Sequence, residues 1–168
     1  MIYTPVQFDI ATDAQYPEFI KHVTEVIESQ NETGMFKTYD DLNLFYRYIL
    51  TKDAKASIVI LHGYTEFLQK YYEVAWYLMN SGYNVFLYDM RGHGRTGEMA
   101  VENKTGLMGK LADKDGFNRV VEDLHEMIEQ DKRDKEKFFS KTIVVWIGAL
   151  FCCVLWGSAF PCIKIGYE

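Results

Sequence analysis

Apolar side chains recur with two different periods along the first 130 residues. Between residues 14 and 30, Phe19, Ile20, Val23, Val26 and Ile27 lie three and four apart, the spacing of one helix face, and Gln30, Asn31 and Gly34 close the segment. Residues 35–39 and 44–50 are short aromatic-rich runs on either side of Asp40-Asp41-Leu42-Asn43, which predicts a β-hairpin. Residues 51–55 are a polar loop. Ser57-Ile58-Val59-Ile60-Leu61 is apolar at successive rather than alternate positions, as in a parallel strand covered on both faces. Helical spacing returns over residues 71–80 through Val74, Ala75, Tyr77 and Leu78, and Ser81-Gly82 ends it. Residues 83–88 predict the next strand, so strand, loop, helix and strand form a right-handed βαβ crossover. A further amphipathic helix follows over residues 117–130, carrying Val120, Val121, Leu124, Met127 and Ile128.

The pattern then changes. Three regions result: a sheet-forming part over residues 1–131, a charged linker over 132–141, and an apolar segment over 142–165. Residues 142–160 contain no charge and would span ~28 Å as a helix, about one hydrocarbon thickness. The expectation is a transmembrane helix flanked by Lys141 and Lys164. The alternative is a buried segment in which residues 142–148 (TIVVWIG) serve as a surrogate strand. Lys132, Arg133, Lys135, Lys137 and Lys141 would hold the front part on the cytoplasmic side of a membrane.

Charge narrows the partners. Residues 1–131 carry 21 acidic and 12 basic side chains, whereas residues 132–168 carry 3 and 6. An acidic front part lacks the clustered cations that nucleic-acid binding needs, so no nucleic-acid partner is expected. Cys152, Cys153 and Cys162 all lie in the apolar segment, an odd set that makes neither a disulfide framework nor a zinc site. No cofactor or metal is implied. The first residues lack a basic stretch followed by an apolar run, so the front part is expected in the cytosol.

Candidate chemistry sits on two loops after the two predicted parallel strands, the edge where open α/β sheets bind ligands. The first loop is His62-Gly63-Tyr64-Thr65-Glu66-Phe67, where Gly63 permits a tight turn. The second runs Asp89-Met90-Arg91-Gly92-His93-Gly94-Arg95-Thr96-Gly97 and is read as a glycine-rich loop. Asp89 and Arg91 are expected to pair and brace it. His22 and His125 are expected to be solvated. Helical spacing explains Tyr71, Tyr72, Trp76 and Tyr77 as packing residues.

Taken together, ASIVILHGYTEF, YYEVAWYLMNSGYNVFLYDMRGHGRTG and VVEDLHEMIE resemble the N-terminal part of α/β hydrolases of the monoacylglycerol lipase, lysophospholipase and serine aminopeptidase-like group, over about residues 30–131. The resemblance implies an incomplete α/β-hydrolase sheet and a lipid or small carboxylic ester as substrate. It assigns the backbone N–H of Tyr64 to an oxyanion hole. It makes His62, Gly63, Asp89, Arg91, Gly92, His93 and Gly94 loop-organising residues. It also places a third strand between a fourth and a fifth, so that Ser57–Leu61 would show an open, aggregation-prone edge and the front part would be marginally stable. A serine nucleophile belongs on a G-x-S-x-G bend after the helix that ends near Gln130. Neither Ser140 nor Ser158 has glycines two residues away on both sides, and no histidine follows His125. The chain is therefore expected to be inactive alone. Residues of about 138–168 (KTIVVWIGALFCCVLWGSAFPCIKIG at their centre) resemble the first transmembrane helix of drug/metabolite, EamA-like, transporters. One helix forms no transport pathway. Two such resemblances meeting near residue 132 point to a fusion, frameshift or assembly junction.

Overall fold

The computed structural model describes residues 2–30, 32–104, 106–112 and 114–133. The expected linker beyond residue 133 and the apolar segment 142–165, with its transporter-like resemblance, lie outside the described residues. Among the described residues no helix is long and apolar enough to cross a membrane.

Five strands form one sheet: β1 (Ile2–Tyr3), β2 (Thr33–Lys37), β3 (Asn43–Thr51), β4 (Ser57–Leu61) and β5 (Asn84–Tyr88). The expected hairpin is β2 and β3, paired antiparallel with Lys37 opposite Asn43. Its turn forms because Asp41 accepts a left-handed φ of 65° and Thr38 bonds across to Leu42 through both backbone and side chain. β3 also runs antiparallel to β5, and β5 runs parallel to β4 with Leu61 opposite Tyr88. The short β1 adds parallel to the end of β3, a pairing the sequence pattern did not suggest.

Helices cover both faces. α1 (Tyr16–Ser29) and α2 (Tyr72–Asn80) pack Val23, Ile27, Ala75, Trp76 and Met79 against Ile49, Ile58, Ile60, Val85 and Leu87. α4 (Gly116–Arg133) packs Val120, Leu124 and Met127 on the other face, against Val59, Leu61, Phe86 and Tyr88. Alternate residues of β4 and β5 thus feed two cores, which explains why Ser57–Leu61 is apolar throughout. A 3-10 turn (Leu68–Tyr71) leads into α2, whose Tyr72 and Trp76 are buried core residues, as helical spacing required.

The structure corrects two boundaries. The segment read as a loop over residues 89–97 becomes helical at Gly94, where α3 (Gly94–Glu102) begins. Its glycines are compatible with a helix start because Gly92 (φ 73°) and Gly94 (φ 48°) make the turn into it. The final described helix runs to Arg133, past the expected end at Gln130.

Candidate functional site

The loops following β4 and β5 come together at the carboxyl edge of the sheet, and His62 ties them. Its Nδ1 lies 2.8 Å from the Gly63 carbonyl, and its Nε2 accepts the Met90 N–H at 3.1 Å. An amide can only donate, so Nε2 is bare and the proton resides on Nδ1. Burial lowers the His62 pKa to about 4, with the Gly63 bond acting in the opposite direction. The ring is neutral at pH 7, so its 3.7 Å approach to Asp89 is not an ion pair.

Asp89 is fully buried and serves both loops. Its Oδ1 accepts the Leu68 N–H at 2.8 Å and its Oδ2 the Arg95 N–H at 2.9 Å. Burial raises its pKa, and these two amide bonds oppose the rise. A side chain at Gly94 would collide with this carboxylate, so the turn requires glycine there. Thr96, also buried, donates to the Asp89 carbonyl at 2.6 Å and accepts the Phe45 N–H at 2.9 Å.

The expected pairing of Asp89 with Arg91 is not what forms. Arg91 turns away from Asp89 and meets Asp123 of α4 and Asp40 of the hairpin turn. The reason is geometric: both Asp89 oxygens are already engaged by amides, whereas Asp123 lies on the inward face of α4 among Val120, Leu124 and Met127. That acidic residue on an apolar helix face was the available sequence signal for a buried partner, and Asp40, Thr96 and Asp123 were all missed as site residues.

His93 is 4% exposed. Its Nδ1 lies 2.9 Å from the Arg91 carbonyl, and among the described residues its Nε2 has no partner. The Tyr64 ring meets it edge-on at 5.0 Å, and the Tyr64 hydroxyl donates to the Gly109 carbonyl at 2.6 Å. The neighbouring turn is held by Glu66, which accepts the Gly63 N–H and the Tyr71 hydroxyl. The Tyr71 bond, helped by the Gly63 amide and opposed by burial, lowers the Glu66 pKa. No hydrogen bond engages the Tyr64 N–H among the described residues. Between the loops lies a cleft of about 530 Å³, bordered by Thr65, Phe67, His93, Arg95, Met108 and Gly109. His22 and His125 are exposed, His22 against the edge of Trp76. Among the described residues no group of His, Cys, Asp and Glu is arranged to hold a metal ion.

A parallel strand pair flanked by helices on both faces, with two loops meeting at its carboxyl edge, defines a partial α/β-hydrolase-like sheet. The family model described as serine aminopeptidase, S33 (Hydrolase_4) matches residues 52–145, more than half of the chain, and the chain belongs to that family. The match runs past the expected boundary at residue 131. Among solved structures, the chain is similar to a highly thermostable carboxyl esterase from Bacillus coagulans in complex with glycerol. That likeness has 18% identity and a TM-score of 0.50, over 64% of this chain and 33% of that one. It is also similar to a soluble variant of monoglyceride lipase from Saccharomyces cerevisiae in complex with a substrate analog. There the identity is 16% and the TM-score 0.46, over 68% of this chain and 34% of that one. The chain thus spans about a third of the length of these solved structures. No curated protein matches it.

Proposed function

We propose that this chain is the N-terminal portion of a carboxylic-ester hydrolase acting on lipid or small esters, and that residues 1–168 do not themselves turn over substrate. The observation that carries the reading is the loop His62-Gly63-Tyr64, which is tied to the second loop through His62 and leaves the Tyr64 N–H without an acceptor among the described residues. Such an amide suits the oxygen of a tetrahedral intermediate. The site also needs a second donor and an activated hydroxyl, and no G-x-S-x-G occurs in the sequence. Family membership and the names of the similar structures support the ester class.

Two measurements test this. The purified chain, incubated with a fluorophosphonate probe and an aryl ester, is expected to show neither labelling nor turnover. Labelling at Ser140 or Ser158 would overturn the silent reading. Joining residues 1–133 in frame to the nucleophile-bearing part of an active family member is expected to give ester hydrolysis. In that chimera Tyr64→Pro, which removes the amide hydrogen, lowers kcat about 10²–10³-fold. An unchanged kcat would exclude Tyr64 from the oxyanion site.

A further inference from the structure

The segment between α3 and α4 is fastened to the loops chiefly through one residue. Residues 106–112 belong to no helix or strand, and residues 106–110 are exposed throughout. The segment crosses Gly92 so closely that a side chain there would strike the Lys110 backbone. It stands between two cavities that share Gly92. One is the cleft of about 530 Å³, bordered by Met108 and Gly109. The other, of about 300 Å³, is bordered by Leu107, Lys110 and Leu111. The short bonds from this strap to the loops converge on Gly109. Its N–H donates to the Gly92 carbonyl at 2.6 Å, and its carbonyl accepts the Tyr64 hydroxyl at 2.6 Å. A longer contact, 3.4 Å from Arg91 Nη1 to the Leu111 carbonyl, follows two residues on.

Tyr64 also reaches a second group. Its ring meets the His93 ring edge-on at 5.0 Å. The Arg91 carbonyl can only accept, so the His93 Nδ1 that lies 2.9 Å from it carries a proton, and in the neutral ring Nε2 is a bare acceptor. His93 borders the larger cleft, yet this nitrogen is sealed from solvent and has no partner among the described residues. Two tendencies therefore oppose each other. The Tyr64 bond holds the strap shut, but water competes for an exposed hydroxyl and carbonyl, so its net strength is modest. Leaving a buried acceptor unpaired disfavours the shut arrangement. Leu107 and Met108 are more than half exposed, so little apolar burial holds the strap in place.

We propose that the Tyr64 hydroxyl and the Gly109 carbonyl form a latch on this strap. With the bond made, residues 106–110 are held against both loops and the His93 Nε2 is covered. With it broken, the strap lifts at Gly109, the cleft widens, and the nitrogen is open to a hydrogen-bond donor entering from solvent. One side chain touches both the strap and the imidazole, so releasing the strap also frees the ring that lies against His93. The backbone N–H of the same Tyr64 is the oxyanion candidate, so the latch couples the strap to that donor. This coupling rests on the reading given under Proposed function; the latch itself does not.

Carbethoxylation with diethyl pyrocarbonate tests the latch, because the reagent attacks an imidazole nitrogen that is bare and open to solvent. The full 168-residue chain and Tyr64→Phe, which keeps the ring and removes only the hydroxyl, are treated at pH 7. Each histidine is followed by peptide mass spectrometry. His22 and His125 are exposed and are expected to react fast in both chains. His62, whose Nε2 is engaged by the Met90 N–H, is expected to stay slow in both. His93 is expected to be slow in the native chain and about 3–10-fold faster in Tyr64→Phe, the gain in opening when one hydrogen bond of ordinary net strength is lost. Exchange of the Gly109 amide should accelerate by a similar factor, since its bond to Gly92 opens with the strap. The proposal is overturned if His93 reacts as fast as His22 in the native chain. It is also overturned if either the His93 rate or Gly109 exchange is unchanged in Tyr64→Phe. Acceleration at His62 together with His93 would overturn it too, because the loops themselves would then have loosened. None of these outcomes bears on the hydrolase reading, which fluorophosphonate labelling and the chimera decide separately.

Discussion

Arg91 and Asp123 form a two-pronged ion pair inside the protein. Nε donates to Oδ2 at 2.7 Å and Nη2 to Oδ1 at 2.6 Å, with side-chain exposures of 4% and 0%. The same guanidinium reaches Asp40 on the hairpin turn. Burial opposes the charge on Arg91, but the bonds from Asp123 and Asp40 outweigh it and hold its pKa above the usual arginine value. Three stretches distant in sequence, the β2–β3 turn, the loop after β5 and α4, are thereby fixed to one cation.

Removing the inner partner should therefore cost much more than removing the outer one. Asp123→Asn keeps the shape but leaves a buried guanidinium with half its countercharge. Breaking one side of such a pair typically costs about 3–5 kcal/mol, and the surviving Asp40 places this case at about 3. Asp40 is one-third exposed, so Asp40→Asn is expected to cost about 1 kcal/mol or less. Urea unfolding of the full chain measures both. Equal losses would mean that α4 is held by its apolar face alone.

His62 should make the fold acid-sensitive in a defined window. Its pKa falls from 6.5 to about 4 on folding, chiefly through burial. Between those values the unfolded chain binds the proton and the folded chain does not. Stability from this group is thus complete above the unfolded pKa and falls as pH drops toward about 4. The full difference corresponds to about 3 kcal/mol. Asp89 contributes with the opposite sign, because burial raises its pKa. The informative quantity is therefore the difference between the native chain and His62→Gln, measured by urea unfolding at pH 7, 6 and 5. The native chain should lose more stability than the variant over that interval. Parallel losses would mean that His62 takes up a proton as readily in the fold as in the unfolded chain.

The sheet with helices on both faces was legible in the sequence because its signals are local and repeated. Consecutive apolar residues in Ser57–Leu61 indicated burial on both faces, and three- and four-residue spacing marked α1, α2 and α4. The loop pair was legible for the same reason: His62-Gly63 and Arg91-Gly92-His93-Gly94 are short, distinctive strings. What could not be read was which partner each polar residue would take. Asp89 and Arg91 are near neighbours in sequence, yet Asp89 is saturated by the Leu68 and Arg95 amides while Arg91 finds Asp123, 32 positions away. α3 was hidden because three glycines within six positions weigh against a helix. Two of them, Gly92 and Gly94, make the turn, and Gly97 is a helical position packed closely on Gly92.

Thr96 provides the sharpest test of how the second loop is anchored to the sheet. The β3–β5 ladder ends with Tyr46 opposite Tyr88. One step beyond it the Asp89 N–H still reaches the Phe45 carbonyl, at 3.0 Å. The return bond is replaced by Thr96, whose hydroxyl accepts from Phe45 and donates to the Asp89 carbonyl. Thr96→Val preserves volume but orphans a buried amide and a buried carbonyl, for an expected loss of about 2–3 kcal/mol. Thr96→Ser keeps the hydroxyl and removes one methyl group, costing about 1 kcal/mol or less. Thermal unfolding should separate the two variants clearly, and exchange at the Phe45 amide should accelerate in Thr96→Val alone. If valine were tolerated as well as serine, the hydroxyl bridge would not be what joins α3 to the sheet, and the loop that carries His93 would have to be held by Arg91 and Asp89 without it.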